Sequence, residues 1–392
     1  MGPWMKVKLA QVCSSISDGD HLPPPKCESG IPFVTISDIK NNKFDLSNTR
    51  FVPKAYFDTI DEKRRIRKGD VLYSVVGSYG IPVYADTDLE IAFQRHIAIL
   101  KPSSTVDSRF LYYSVLSPAF YNAADNVAIG AAQKTITLSA LRNLEIPLPP
   151  LLVQRRIADV LSAYDDLIEN NRRRIAILEE TARLAYRKWF GGVEQCRTAT
   201  LGDVLETIES GSRPRGGAVN DGVPSIGAEK IESIGVYDYS SEKFVSREYY
   251  DKMRRGKIRS GDVLLYKDGA YTGKVSMALN GFPHAEAAVN EHVFILRTRN
   301  LHAQCFLYCF LRQQEIYDKI NTIASAKACQ PGLNQSDVLN LEIEVPTDDE
   351  IGRFENRVIP LFDEIVNFAK QNAALVTARD MLLPRLMKGG AA

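Results

Sequence analysis

The segment Ile66-Arg-Lys-Gly-Asp-Val-Leu72 decides the fold of this chain, because it occurs twice. It returns 192 residues later as Ile258-Arg-Ser-Gly-Asp-Val-Leu264. Each copy places a Gly-Asp turn before aliphatic residues, which is the pattern of a turn that enters a strand. Such self-similarity within 392 residues makes the duplication of a larger unit the first possibility to test.

The flanking sequence shows that the duplicated unit is a whole domain. The matching segments are residues 9–12 with 201–204, 30–34 with 222–226, 51–58 with 244–251, 96 with 292, 110–112 with 306–308, and 143–146 with 340–343. The shift between the copies grows from 192 to 197, as small insertions accumulate in exposed loops. The chain is therefore a tandem duplication.

Each copy has the pattern of an α+β domain. Short β-branched and aromatic runs at residues 32–36, 70–76 and 91–100 alternate with turn residues and predict strands. Residues 108–122 and 301–322 carry apolar residues at spacings of three and four, which predict helices. We expect two tandem α/β domains at 1–150 and 191–346, with helical segments at 151–190 and 347–392.

A heptad pattern predicts that both helical segments form long coiled-coil helices. The predicted seam of the first is Leu161, Tyr164, Ile168, Asn171, Ile175 and Leu178, and that of the second is Leu361, Ile365, Phe368, Asn372, Leu375 and Leu382. Thr347 is a predicted N-cap of the second helix. Arg379 interrupts its apolar seam, and Pro360 is expected to kink or restart it.

The two seams most simply pair with each other. An antiparallel pair of about 38 residues per helix would form a rod about 57 Å long. The two domains would then have inverted, pseudo-two-fold orientations. Asn171 and Asn372 either fix the register of this pair or are solvated residues near a gap, and both alternatives stay open.

Composition excludes several classes of protein. No run of about 18 or more apolar residues is present to span a bilayer, and residues 1–10 lack a secretory signal, so a cytoplasmic protein is expected. The cysteines and histidines lack metal-ligand spacing, so we expect no metal site, with Cys305 and Cys309 as buried free thiols. The net charge of +1 means that any nucleic-acid contact must come from local basic clusters.

We identify no catalytic residues. The chain lacks the glycine-rich cofactor loop and the Asn/Asp-Pro-Pro-Tyr tetrad that an autonomous DNA methyltransferase would need. The segment Gly269-Ala-Tyr-Thr-Gly-Lys-Val275 is one residue shorter than a phosphate-binding loop and lacks its following Ser or Thr. A non-catalytic protein is therefore expected.

Three segments carry a resemblance to a known family. They are Ile146-Pro-Leu-Pro-Pro-Leu-Leu-Val-Gln154, Tyr186-Arg-Lys-Trp-Phe190 and Leu382-Leu-Pro-Arg-Leu-Met-Lys-Gly389. With the two Gly-Asp-Val-Leu elements, they resemble the specificity (S) subunits of type I restriction-modification enzymes over nearly the whole chain. One departure is Glu350-Ile-Gly-Arg-Phe354, which stands where a second copy of Gln154-Arg-Arg-Ile157 is expected.

The resemblance implies that each domain is a target-recognition domain that reads one half of a bipartite, asymmetric site in double-stranded DNA. It implies that the helices set the gap between the halves and dock two methyltransferase subunits, while motor-nuclease subunits join for cleavage. S-adenosylmethionine, ATP and Mg²⁺ would belong to those partners. The departure at residues 350–354 puts the equivalence of the two methyltransferase contacts in doubt. The alternative is a coiled-coil scaffold that does not read DNA.

The candidate DNA-binding residues are basic and aromatic side chains, most of which recur in both copies. They are Lys63, Arg64, Arg65, Arg67, Lys68, Tyr79, Arg213, Arg215, Arg254, Arg255, Lys257, Lys267, Tyr271 and Lys274. The basic residues are expected to contact phosphates, whereas Tyr79 and Tyr271 follow turn glycines and are expected in base-reading loops. A solvated basic face is the alternative for the clusters.

Other polar residues receive a structural interpretation. Gln133 with Lys134, and Lys327 with Gln330, lie in matching loops for which we favour a loop-capping role over base contact. His96 and His292 lie in apolar segments and are interpreted as core histidines.

Overall fold

The protein is described from a computed structural model, which describes residues 4–21, 23–131, 133–191, 196–300, 303–326 and 332–388. The chain divides into two compact units. The first comprises Met1–Asp166 with Leu375–Ala392, and the second comprises Leu167–Ala374. Lys327 and Gln330, which the sequence placed in a loop, lie outside the described residues.

The first unit combines short strands with short helices. Its strands are β1 (Lys6–Lys8), β2 (Cys13–Asp18), β3 (Ile31–Val34), β4 (Ile39–Lys40), β5 (Lys43–Phe44), β6 (Arg50–Val52), β7 (Val71–Ser74), β8 (Pro82–Tyr84), β9 (Ala92–Phe93), β10 (Ile97–Pro102) and β11 (Glu145–Pro147). Its short helices are α1 (Leu9–Val12), α2 (Lys54–Thr59), α3 (Ser108–Leu116), α4 (Pro118–Val127) and α5 (Leu138–Asn143). The main sheet has the strand order β2-β10-β7-β8, and a smaller sheet has the order β6-β3-β9.

A long helix, α6 (Leu151–Phe190), leads from the first unit into the second, whose strands and short helices repeat the same fold. The strands are β12 (Arg197–Thr200), β13 (Leu205–Ser210), β14 (Val223–Ile226), β15 (Phe244–Val245), β16 (Val263–Tyr266), β17 (Val275–Met277), β18 (Ala288–Val289), β19 (Val293–Thr298) and β20 (Glu342–Val345). The helices are α7 (Leu201–Val204), α8 (Arg247–Lys252), α9 (Gln304–Leu311), α10 (Gln314–Ser325) and α11 (Gln335–Leu339), and α12 (Asp348–Met387) is the second long helix.

Sheet topology confirms the duplication. The order β13-β19-β16-β17 repeats β2-β10-β7-β8, and β15-β14-β18 repeats β6-β3-β9. In the smaller sheets, β3 pairs in parallel with β9, and β14 pairs in parallel with β18. The strands of both main sheets pair antiparallel. The pair β12-β20 likewise repeats β1-β11. The predicted α+β fold class is therefore confirmed.

Three predicted elements are divided in the structure, and one of them is the helix predicted at residues 301–322, which divides into α9 and α10. Residues 91–100 were predicted as one strand, but β9 joins the smaller sheet and β10 joins the main sheet, so a turn at residues 94–96 separates them. Residues 108–122 were predicted as one helix, but Ser117 caps α4 and Pro118 occupies its first turn. Proline lacks an N–H and suits the start of a helix, which explains why α3 ends there.

Each unit has its own hydrophobic core between the main sheet and the helices. In the first unit, side chains from the sheet, α3 and both long helices are buried together, among them Tyr73, Phe110, Leu161 and Leu383. In the second unit the corresponding core contains Leu265, Phe306, Ile175 and Phe362. Both long helices therefore belong to the cores of the units that they enter.

Both long helices extend over 40 residues, close to the predicted bounds. The Thr347 hydroxyl accepts a hydrogen bond from the Glu350 backbone N–H, as expected of an N-cap. Pro360 was expected to kink or restart α12, and the restart is wrong, because α12 is continuous through this residue, while the kink stays a prediction. Val358 and Phe362 on either side are completely buried, so packing offsets the backbone hydrogen bond that proline cannot donate.

Candidate nucleic-acid interface

The repeated Gly-Asp-Val-Leu element anchors a turn to the main sheet. In the first copy, the Asp70 carboxylate accepts from the Arg67 backbone N–H at 2.8 Å and pairs with Lys101 of β10 at 2.7 Å. In the second, Asp262 accepts from the Arg259 N–H at 2.7 Å and from Arg297 of β19 at 2.6 Å. The repeat thus preserves a structural ion pair.

The same turn carries the predicted basic cluster of the first copy. Arg64 lies 3.6 Å from Asp20, Arg67 pairs with Glu62 at 2.7 Å, and Arg65 donates to the backbone carbonyl of Ile60 at 2.9 Å. By contrast, Lys63 and Lys68 are exposed and have no side-chain ion pair among the described residues. Only part of this cluster is therefore free to contact a phosphate.

The basic cluster of the second copy is divided in the same way. Lys257 donates to the backbone carbonyl of Asp251 at 3.1 Å and lies 4.8 Å from the centre of the Tyr250 ring. Arg254 and Arg255 are exposed and have no ion pair within the described ranges. The free cations again lie on the turn that precedes the Gly-Asp motif.

Tyr79 belongs to a surface network and does not extend freely from its turn. Its hydroxyl donates a hydrogen bond to the Asp125 carboxylate, which also pairs with Lys134 at 2.6 Å. Its ring stacks on that of Tyr121, with ring centres 6.0 Å apart. The Asp125 carboxylate raises the pKa of Tyr79 above its ordinary value of 10.0. This half-buried ring is already occupied by neighbours of its own chain.

Tyr271 is the more accessible of the two predicted aromatics, with 55% of its surface exposed. Lys274 lies 4.5 Å from its ring centre and pairs with Glu232 at 2.5 Å. Lys267 pairs with Asp268 at 3.3 Å. The predicted base-reading loop of the second copy therefore contains one exposed ring and two paired lysines.

The predicted loop residues Arg213 and Arg215 differ from each other. Arg213 is exposed and pairs with Glu291 at 2.7 Å. Arg215 is exposed and has no ion pair with any described residue. Arg213 is thus held by an ion pair within its own chain, whereas Arg215 is not. Contact between DNA and any of the candidate residues stays a prediction.

A broad groove in the first unit lies beside its basic cluster. Its volume is about 840 Å³, and Lys63, Arg67, Lys68, Lys101 and Arg155 contribute to its walls. The first three of these are predicted DNA-binding residues, which the structure brings together here. Arg155 belongs to the first turns of α6, so this surface continues from the recognition turn onto the long helix. Glu62, Asp70 and Asp107 also line the groove, and the first two pair with Arg67 and Lys101, so Lys63, Lys68 and Arg155 are its cations without an ion pair among the described residues.

The sequence interpretation of the two histidines is wrong. His96 lies half-buried in the turn between β9 and β10, and burial together with Arg95 lowers its pKa below 6.5. His292 lies at the equivalent turn, 39% exposed, and its Nδ1 lies 2.5 Å from Asp268. Both histidines lie in apolar segments, which indicated a continuous buried strand in each case. In the structure each lies in a turn between two strands of different sheets, and the sequence pattern does not reveal that turn.

The predicted seam residues lie on buried or half-buried faces of the long helices. Leu161, Ile168, Asn171, Ile175, Ile365 and Phe368 are buried, whereas Tyr164, Leu178, Leu361, Asn372, Leu375 and Leu382 are half-buried. In the second unit the side-chain amide of Asn171 donates a hydrogen bond to the amide oxygen of Asn372 at 3.0 Å. The ring of Trp189 packs on that of Phe354, with ring centres 6.2 Å apart. Moving along α6 from Asn171 to Trp189 therefore means moving back along α12 from Asn372 to Phe354. The two helices are antiparallel in this unit.

Buried polar contacts join each long helix to its recognition fold. In the first unit, Gln154 of α6 accepts from the Asp107 N–H at the start of α3 at 2.8 Å. In the second, Glu355 of α12 accepts from the Phe306 N–H in the first turn of α9 at 2.7 Å. Burial raises the pKa of Glu355 from 4.5 to about 7. Both contacts satisfy backbone donors that helix starts leave unpaired.

Arg379, which interrupts the predicted apolar seam, is also explained by a polar contact. Its guanidinium donates to Asp165 of α6 at 2.5 Å within the first unit. The hydroxyl of Tyr113 from α3 donates to the other oxygen of this carboxylate at 2.6 Å. A half-buried arginine is tolerated here because its charge is paired and hydrogen-bonded.

Comparisons with known proteins agree with this architecture. A family profile described as "Type I restriction modification DNA specificity domain" matches residues 1–180. The MjaIX type I specificity subunit of Methanocaldococcus jannaschii is 26% identical, over 92% of this chain and 86% of that protein. The HindI type I specificity subunit of Haemophilus influenzae is 22% identical, over 99% of this chain and all of that protein.

Over nearly its whole length, the chain is therefore similar to the specificity subunits of type I restriction-modification enzymes. A solved type I S subunit from M. genitalium shares the fold, with a TM-score of 0.54 at 18% identity, over 98% of this chain and 99% of that one. Within the described residues, no helix is long and apolar enough to cross a membrane. The same residues contain no group of three or more His, Cys, Asp or Glu side chains arranged to hold a metal ion.

Proposed function

We propose that this chain is the specificity (S) subunit of a type I restriction-modification enzyme and a non-catalytic DNA reader, in which each recognition domain reads one half of a bipartite, asymmetric site. The observation that carries the proposal is the duplication of one α+β fold, in which the main sheet, the three-stranded sheet and one two-stranded pair all recur, with a long helix after each copy. Two similar readers that differ in surface residues suit a site with two different halves. The long helices set the gap between these halves.

Free cations at equivalent turns support contact with DNA in both domains. Lys63 and Lys68 in the first copy, and Arg254 and Arg255 in the second, are exposed and lack ion pairs within the described residues. Most other basic side chains at these turns are held by carboxylates or carbonyls. Phosphate binding releases counterions, so a few such cations suffice although the net charge is only +1.

An exposed apolar stripe on α6 supports docking of methyltransferase subunits. Its members are Leu152 and Val160 in the first unit and Leu167, Ile177 and Leu184 in the second, each more than a third exposed. With the shift of 197, the equivalent positions of α12 are Asp349, Arg357, Glu364, Ala374 and Met381. Exposed apolar stripes of this kind indicate a protein interface, and the difference between the helices agrees with non-equivalent methyltransferase contacts.

We further propose that the chemistry resides in partner subunits. S-adenosylmethionine would be bound by the methyltransferase subunits, and ATP and Mg²⁺ by motor-nuclease subunits. The cysteines of α9 are poor candidates for nucleophiles, because burial holds the pKa of both thiols above its ordinary value. This S subunit would then contribute sequence recognition and spacing.

The proposal is tested by co-producing the chain with its methyltransferase subunits and mapping methylated adenines genome-wide. The expected result is one bipartite sequence with a constant gap. Exchanging the two recognition domains for those of another S subunit should change both half-sites. Methylation at unchanged sites after this exchange would contradict DNA reading and favour a scaffold role. Methyl transfer by this chain alone would contradict the non-catalytic assignment.

A further inference from the structure

A cleft of about 360 Å³ lies in the first unit, and Asp20 in its wall lies 3.6 Å from Arg64 of the predicted basic cluster. Its walls come from the loop after β2, from β6 and from the turn between β9 and β10. Arg50 and Phe51 lie on one side, and Gln94, Arg95 and His96 lie on the turn. The cleft therefore combines an aromatic ring with several hydrogen-bond donors.

The polar side chains of this cleft are not used by the fold. Within the described residues, the side chains of Arg50, Gln94 and Arg95 make no hydrogen bond or ion pair. The nearby carboxylate of Asp20 is already engaged, since it accepts from Tyr56 at 2.6 Å and lies 3.6 Å from Arg64. Two guanidinium groups and an amide are thus left free to bind a ligand.

The backbone that carries these groups is held firmly in place. Gln94 donates its N–H to Val34 and Arg95 donates its N–H to Asp20, both at 3.0 Å. A Cβ atom on Gly19 would lie only 2.1 Å from the carbonyl oxygen of Phe93, so the loop and the turn approach as closely as glycine permits. The backbone therefore fixes where these side chains start, and their unpaired polar groups stay available to a ligand.

The second copy has the same backbone with different side chains. The equivalent turn is Asn290-Glu291-His292, Asn290 donates its N–H to Ile226 at 3.0 Å, and a Cβ on Gly211 would again collide with a carbonyl oxygen, that of Val289. Glu291 replaces Arg95 and is paired with Arg213 at 2.7 Å. The backbone of the turn is thus duplicated, whereas the positive side chain of Arg95 is replaced by the negative side chain of Glu291.

We propose that Arg50, Gln94 and Arg95 read base edges in the DNA half-site of the first recognition domain. This inference rests on the proposed function and names the residues that determine specificity within it. An arginine fork pairs with O6 and N7 of guanine, and a glutamine amide pairs with N6 and N7 of adenine. The reversed charge at Glu291 makes the second domain read a different sequence.

The test uses the S subunit assembled with its methyltransferase subunits, and the variants Q94A, R50A and R95E. R95E installs the residue of the second copy. We expect the mapped methylation sites to change or relax in the first half only, with the second half and the gap unchanged. Binding to a duplex with the wild-type site, relative to a duplex with a scrambled first half, should lose roughly 10- to 100-fold of its discrimination per variant.

The matched control is K68A, which removes an exposed cation of the same unit outside the cleft. It should weaken binding to both duplexes equally and leave the methylated sequence unchanged. Since the three cleft side chains have no partners among the described residues, thermal unfolding of the variants should match that of the wild type.

The outcomes separate the two proposals. Unchanged methylation sites and unchanged discrimination in all three cleft variants would overturn this inference and leave the proposed function intact. A wild-type complex without sequence-specific methylation would overturn both. A change confined to the second half-site would also overturn the inference, because it would assign the cleft to the wrong part of the site.

Discussion

Asp262 and Asp70 show how one repeated residue supports the fold with different strength in the two copies. Asp262 is 1% exposed and contacts Arg297 through both carboxylate oxygens, at 2.6 and 2.7 Å. Burial is strong enough to raise the pKa of Asp262 even beside that guanidinium. Asp70 pairs with Lys101, which is more exposed. The second copy therefore depends more on its ion pair.

We predict that D262A lowers the free energy of unfolding of the second unit by about 3–5 kcal/mol, because it leaves the buried Arg297 charge partly unpaired. Urea denaturation followed by fluorescence measures this loss. R255A, which removes an exposed cation from the same turn, should change stability by no more than about 0.5 kcal/mol. Equal effects of the two substitutions would contradict the structural role of Asp262.

Glu355 links stability to pH. This carboxyl is 3% exposed, faces the first turn of α9 and contacts the Cys305 thiol, and burial raises its pKa to about 7. Because the folded-state pKa lies above the ordinary value of 4.5, the unfolded chain ionises first as the pH rises. The carboxyl therefore contributes stability below about pH 4.5, which is lost as the pH rises to about 7.

We predict that E355Q removes this pH dependence and stabilises the second unit at pH 8 by up to about 3 kcal/mol. Glutamine still accepts from the Phe306 N–H but does not ionise. The measurement is urea denaturation between pH 4.5 and 8 in a W4F background, where Trp189, which packs on Phe354, is the remaining tryptophan. Parallel pH profiles of stability with and without the E355Q substitution would contradict the prediction.

At the scale of elements, the long helices have two distinct faces. The buried face of α6 includes Asn171, which hydrogen-bonds to Asn372 at 3.0 Å, so the two seam asparagines contact each other. A polar pair in an apolar seam favours one register over its alternatives. The opposite face carries the exposed apolar stripe, which α12 largely lacks at the equivalent positions. Packing thus occupies one face and leaves the other available to partners.

We predict that I177K weakens association with a methyltransferase subunit by at least about tenfold, because a charge would replace a 65% exposed apolar side chain of the stripe. The matched control is A374K at the equivalent position of α12, where the change should have little effect. Association is measured by titration of purified methyltransferase subunit. Equal weakening by both variants would show that the stripe has no special role.

For the whole molecule, two copies of one fold carry separate sets of free cations on a chain with a net charge of +1. Such local charge contributes affinity for phosphates without sequence preference. Affinity and specificity should therefore respond to different substitutions. Substitutions in the basic turns should change the affinity, and substitutions in the cleft beside Gln94 should change the sequence specificity.

We predict that the charge reversals K63E/K68E and R254E/R255E each weaken DNA binding of the assembled complex and leave its methylated sequence unchanged. The slope of log affinity against log salt should fall by roughly one for each phosphate that is no longer bound. Binding titrations at several salt concentrations measure this slope. An unchanged slope in both variants would favour the scaffold alternative, and an altered sequence would place base reading at these turns.

The sequence by itself determined the duplication, the α+β class and the two 40-residue helices, because self-similarity and heptad spacing are local properties of the chain. Tertiary structure alone decided that residues 91–100 divide between two sheets and that Arg379 meets Asp165. It also decided which cations are free. Arg67 and Lys68 are adjacent in sequence, yet only the side chain of Arg67 has a carboxylate partner among the described residues. The physical reason is that a side chain's partners depend on how the folded backbone orients it, and no local pattern records that orientation.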